Sequence, residues 1–79
     1  MIKEIARGHI VLQTEHGTVT ILGEALLPGY GSPDFIAYEN SINEWDEPKG
    51  ELIGCDLKKK ILRQLLSDAK ERNIKIEIE

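Results

Sequence analysis

A single cysteine, Cys55, stands among 79 residues, so the chain cannot close an internal disulfide or assemble a cysteine-based zinc cluster. Long apolar runs are missing too. The opening "MIKEIARGHIVLQTEHG" is broken by Lys3, Glu4 and Arg7 before it reaches signal-peptide length, and nothing approaches the ~20 apolar residues of a membrane span. There is no internal repeat and no low-complexity tract. These absences lead us to expect a soluble, cytoplasmic protein with no membrane partner.

The composition is that of a folded chain. With 41% hydrophobic and 30% charged residues, it has too much apolar content for disorder, and its length allows one domain over 1–79. The core must be thin. Domains of this size bury only about 60–65% of their unfolded surface and keep a margin of a few kcal/mol, which a homodimer or a bound partner would widen.

Charge is unevenly spread. The formal total is −4. Residues 1–24 carry a net of −1, from Lys3 and Arg7 against Glu4, Glu15 and Glu24. Residues 25–56 hold Lys49 against seven carboxylates, a net of −6, while residues 57–79 hold seven cations and four carboxylates, a net of +3. The acidity of the chain is the acidity of its middle, which argues against nucleic acid as a partner. At its centre lies "SINEWDEP", with the single tryptophan among Glu44, Asp46 and Glu47.

Periodicity yields an α+β fold. "GHIVLQTEHGTVTILGE" reads as a hairpin. With His16-Gly17 as the turn, Glu15 faces Thr18, Thr14 faces Val19, Leu12 faces Ile21 and Ile10 faces Gly23. One face collects Ile10, Leu12, Thr14, Val19 and Ile21. The other is polar except for Val11 and Leu22. Ile2 to Arg7 adds a strand or bulged extension with a bend at Gly8, "ALLPGYGSPD" turns without regular structure, and "DFIAY" gives a short strand. Glu39 to Gly54 forms a long connection with a helical turn at Ser41 to Trp45, and connections that long in small domains usually have a function. From Cys55 to Asn73 runs an amphipathic helix, with Leu57, Ile61, Leu62, Leu65, Leu66 and Ala69 on one face. Asp56 is the expected N-cap, Asp68 pairs with Arg72 and Asn73 provides the left-handed stop. Ile74, Ile76 and Ile78 then mark a C-terminal strand. The expectation is an antiparallel sheet from the N-terminal hairpin strands plus the C-terminal strand, with the helix packed on one face.

No catalytic or metal constellation emerges, and no cofactor is called for. Cys55 is expected as an inert, buried thiol, since Asp56 opposes its ionisation and no histidine is near in sequence. His9 and His16 lack metal-ligand spacing, and His16 stands where a turn wants positive φ. "PGYGSPD" lacks the Lys-Ser/Thr ending of a phosphate loop and leads into a strand, which makes it a structural turn. The carboxylates Glu44, Asp46, Glu47 and Glu51 lack the ligand order of a calcium loop and any accompanying nucleophile. Lys58, Lys59 and Lys60 stand at a helix start, where the dipole disfavours cations, either as a solvated face or as an anion or nucleic-acid patch with Arg63. Trp45 has two readings. The ring folds back as a lid over the sheet or helix, or it is an anchor that a partner buries, with the surrounding charges steering approach.

"MIKEI" at the start, "ILGE" at 21–24, "FIAYENSINEWDEP" at 35–48 and the amphipathic helix that follows resemble a family of small immunity proteins from bacterial polymorphic toxin systems. The pattern is a Gly-Glu, an aromatic strand, then Tyr38, Ser41-Ile42, Trp45 and Pro48. The resemblance implies an α+β fold, a co-encoded toxin as partner, and inhibition by occlusion without catalytic residues. It further implies that many such toxins are nucleases with basic surfaces. Tyr38 and Trp45 are then the anchors and Glu39, Glu44, Asp46 and Glu47 the guiding charges. Two rivals stand beside it: self-association through an edge strand such as 74–78, and a nucleic-acid or anion binder using Lys58 to Lys60 and Arg63.

Overall fold

The computed structural model describes residues 1–27 and 31–79. The turn expected within "PGYGSPD" falls partly on residues 28–30, outside the described residues. Strands β1 (Ile2–Ile5), β2 (His9–Gln13), β3 (Thr18–Ala25), β4 (Phe35–Ala37) and β5 (Ile76–Ile78) form one sheet in the order β1-β2-β3-β4-β5. A helix, α1 (Cys55–Glu71), joins β4 to β5. The pairings are antiparallel except β4 with β5, which are parallel because the helix carries the chain back to its starting end. The fold is α+β, as the periodicity indicates.

The hairpin differs from expectation in register. Leu12 lies opposite Val19, Ile10 opposite Ile21 and Gln13 opposite Thr18. Thr14 N–H donates to the Gly17 carbonyl at 2.7 Å, leaving Glu15 and His16 at the tip in place of His16 and Gly17. The Thr14 hydroxyl explains the choice, since Oγ1 accepts from the N–H groups of His16 at 3.1 Å and Gly17 at 3.2 Å. No positive φ falls on His16. The displacement of partners is even, so the faces are unaffected, and Ile10, Leu12, Val19 and Ile21 are all fully buried.

Beneath the sheet, Ile61, Leu65 and Ala69 of α1 meet those four side chains together with Ile2, Phe35 and Ala37. Leu57 and Leu62 flank the contact, whereas Leu66 is 42% exposed and stands outside it. Gly23 is required by this packing, because a Cβ there would strike the Phe35 ring and the Ile36 carbonyl.

The helix starts two residues earlier than an Asp56 cap allows. Gly54, extended at φ −78° and ψ 170°, is the N-cap, and its carbonyl accepts from Lys58 N–H at 2.9 Å. Ile53 sets that start, since it is buried and held by Asn43, its N–H donating to the Asn43 carbonyl at 2.9 Å. Asp56 thereby falls in the first turn, where a carboxylate still complements the dipole. Cys55, expected buried, is exposed in that turn. At the other end Asn73 has φ 58°, and Ile74 N–H to Ala69 C=O (2.9 Å) with Asn73 N–H to Lys70 C=O (3.1 Å) closes the helix as a Schellman motif. Asp68 and Arg72 do not pair with each other. Arg72 donates to the Ile2 carbonyl at 2.7 Å and Asp68 lies 3.0 Å from the Met1 amine, so both tie the helix to β1.

Candidate functional site: an acidic segment fixed to the sheet

Beyond β4 the chain leaves the sheet at Tyr38 and makes a short 3₁₀ turn over Glu39–Ser41, earlier than the helical turn expected at Ser41 to Trp45. Ser41 completes the edge of β3. Its hydroxyl donates to the Tyr38 carbonyl at 2.6 Å and accepts from Leu22 N–H at 3.0 Å, a strand bond that β4 is too short to supply. Ile42 then enters the core.

Residues 43–53 fold back on themselves. Trp45 N–H reaches the Glu51 carbonyl at 2.8 Å, and Gly50 N–H reaches the Trp45 carbonyl at 3.2 Å. The same segment borrows the start of β3. Thr18 N–H donates to Glu47 C=O at 2.9 Å, and Asp46 N–H donates to Thr18 C=O at 2.8 Å. These bonds extend the sheet by one irregular rung beyond β4. The Glu47–Pro48 peptide is cis.

The indole of Trp45 is 4% exposed and sits with Ile42 and Ile53 in the core. Its ring lies 6.4 Å from that of His16, tilted by 41°. Of the two readings of this residue, the lid is the one the structure displays. The other expected partner-binding residues are at the surface: Tyr38 is 36% exposed, and Glu39, Glu44, Asp46 and Glu47 are all exposed. Asp46 turns toward the sheet and accepts a hydrogen bond from the Thr20 hydroxyl, and the Tyr38 hydroxyl lies 3.5 Å from a Glu24 carboxylate oxygen. Tyr38 and Asp46 are thus brought to the side of the sheet that lacks the helix, where Leu22 is 51% exposed. Sequence reasoning noted Leu22 and Val11 as apolar exceptions without assigning them a role. The missing information was the position of β4, which sets Ile36 opposite Glu24 and diagonal to Leu22, with Val11 on the far side of β3.

Among the described residues, no group of three or more His, Cys, Asp or Glu side chains is placed to hold a metal ion. No helix among them is long and apolar enough to cross a membrane. The hollow between the hairpin tip and α1, lined in part by His16, Lys60 and Gln64, holds about 50 Å³, and the surface groove beside Arg7, Gly8 and Glu24 about 650 Å³. Lys58, Lys59 and Lys60 make no ion pair with the acidic segment among the described residues.

Fold and segment together make a small α+β protein with an exposed acidic segment fixed to its sheet. A family model described as Immunity protein 74 matches residues 2–79, and the chain belongs to that family. Membership implies toxin neutralisation with a cognate toxin as partner, and immunity proteins are generally binders rather than enzymes. No curated protein and no solved structure matches the chain.

Proposed function

We propose that the protein works in the cytoplasm of the producing cell as a stoichiometric inhibitor, binding the toxin encoded beside it and covering the toxin's working surface. The observation that carries this reading is the fixed acidic segment. Glu39, Glu44, Asp46 and Glu47 project from a stretch held by backbone bonds to Thr18 and by the buried Trp45, so little conformational entropy remains to be lost when a partner arrives. Tyr38 contributes an aromatic edge at the same border. Trp45 acts from inside, as the support that keeps the carboxylates in place.

Such a surface imitates the charge of a nucleic acid, and the partner it fits best is a toxin with a basic substrate groove, such as a nuclease. Complementary charge speeds capture and makes the association rate salt-dependent. The test is titration of the purified product of the adjacent upstream reading frame with this protein, following binding by calorimetry and toxin activity in parallel. Saturation at an equimolar ratio with parallel loss of activity is expected. Binding without inhibition contradicts occlusion, and absence of binding contradicts the reading as a whole.

A further inference from the structure

A sheet has two faces, and α1 covers one of them. Side chains alternate along strands, so with Ile10, Leu12, Val19, Ile21, Phe35 and Ala37 turned to the helix, Val11, Leu22 and Ile36 turn away from it. Pairing sets the three outward apolar residues on one diagonal across β2, β3 and β4, each opposite a polar residue. His9 is opposite Leu22, Val11 opposite Thr20, and Ile36 opposite Glu24. Leu22 is the most open of the three apolar side chains at 51%, and no second layer among the described residues is packed over it.

The border of this patch is acidic. Glu4 lies opposite Val11 with its Oε2 2.7 Å from His9 Nε2, Glu24 and Glu77 lie on either side of Ile36, and Asp46 is held at the Val11 end of the patch by Thr20. Strands β2, β3, β4 and β5 contain no Lys or Arg, while Lys3 stands in the edge strand β1 and Lys75 just before β5, its N–H donating to the Asp34 carboxylate at 2.9 Å. Arg7 shares a groove with Glu24 at one end, and the cations of α1 belong to the opposite layer. An apolar centre with a charged rim is the anatomy of a protein–protein interface.

The sign of the rim selects the occupant. A second copy of the same face would set carboxylate against carboxylate, and nucleic acid or an anionic lipid surface would be repelled in the same way. We infer that the cognate toxin docks on this helix-free face, with Leu22, Val11 and Ile36 beneath an apolar contact and Glu4, Glu24, Asp46 and Glu77 meeting basic side chains around it. The inference rests on the toxin-binding reading and adds to it the surface. The acidic segment then forms one border of a larger footprint, entered through Tyr38 and Asp46.

The experiment uses the full chain and the purified product of the adjacent upstream reading frame. Leu22→Arg, whose side chain is half in solvent, should keep the wild-type melting temperature and weaken binding by at least ~tenfold, the loss typical of a central contact. Glu24→Lys with Glu77→Lys should slow association by about tenfold at low salt and much less at high salt. Lys59→Glu with Arg63→Glu, on the helix layer, should leave affinity within about twofold of wild type, as exposed sites outside an interface do. If wild type binds and Leu22→Arg binds equally well, the docking face is wrong while the toxin-binding reading stands. If wild type does not bind, the toxin-binding reading itself has failed. Should Leu22→Arg not fold, methyl NMR of the wild-type complex decides: Val11, Leu22 and Ile36 must shift while Leu66 on α1 does not, and the reverse pattern overturns the inference.

Discussion

Thr18 and Glu47 exchange backbone hydrogen bonds, Thr18 N–H to Glu47 C=O at 2.9 Å and Glu47 N–H to Thr18 C=O at 3.3 Å. Through this pair a segment that looks like a free acidic loop becomes an added rung of the sheet. The contact requires close approach. A Cβ on Gly17, the residue before Thr18, would collide with the Glu47 carbonyl and press on Pro48 Cδ.

Gly17→Ala should therefore destabilise the protein by about 1–3 kcal/mol, the usual cost of overpacking. Gly8, with nothing near its Cβ position, is the control. Urea denaturation of the two variants checks this, and equal midpoints would mean that the rung is not tight in solution.

The burial of Trp45 makes a second prediction. In the native state the single tryptophan should emit at short wavelength and resist acrylamide quenching, then shift red on unfolding. Trp45→Ala should cost ~3–5 kcal/mol, comparable to the whole stability of a domain this small, so that binding and fold are lost together. A Trp45→Ala variant that keeps its circular dichroism and melting temperature but loses the partner would move the indole from the core to the interface.

At the N-cap of α1, Gly54 has the extended backbone of a capping residue, no side-chain hydrogen bond and open space around its Cβ position. Gly54→Ser should add a few tenths of a kcal/mol, since serine can bond the free N–H groups of the first turn. Thermal melts of the pair measure it. A lower melting temperature would show that the helix does not start there.

Much of this architecture was legible in the chain. The helical spacing of Leu57, Ile61, Leu62, Leu65, Leu66 and Ala69 and the alternation through Ile10, Leu12, Val19 and Ile21 are local patterns, and both found the correct faces except that Leu66 stands outside the helix contact. What escaped was set by distant partners. Gly17 attracts a turn assignment, yet its glycine is needed for Glu47 and Pro48, thirty residues on. Asp56 is a sound cap by type, but Ile53 and Asn43 fix where the helix begins. Asp68 and Arg72 have the spacing of a helical ion pair and are each drawn to β1 instead. The acidic carboxylates were visible as a cluster. That Trp45 stands behind them, and that Tyr38 and Asp46 border an apolar sheet face, follows only from the tertiary fold.

Association should respond to salt in a way that separates the toxin partner from the rivals. With an acidic docking surface, raising salt from 50 to 500 mM should slow binding of the upstream product by ~tenfold or more and leave dissociation nearly unchanged. Tight, salt-sensitive binding of DNA or RNA through Lys58, Lys59, Lys60 and Arg63 would instead favour the nucleic-acid reading. A dimer mass in light scattering would favour edge pairing, since β5 is one of the two edge strands of the sheet.

Growth of cells expressing the upstream gene product, with and without this protein, tests the central claim most directly. The account predicts arrest or death without it and full growth with it, tracking the formation of an equimolar complex. Continued arrest while the folded protein is present in excess would contradict it.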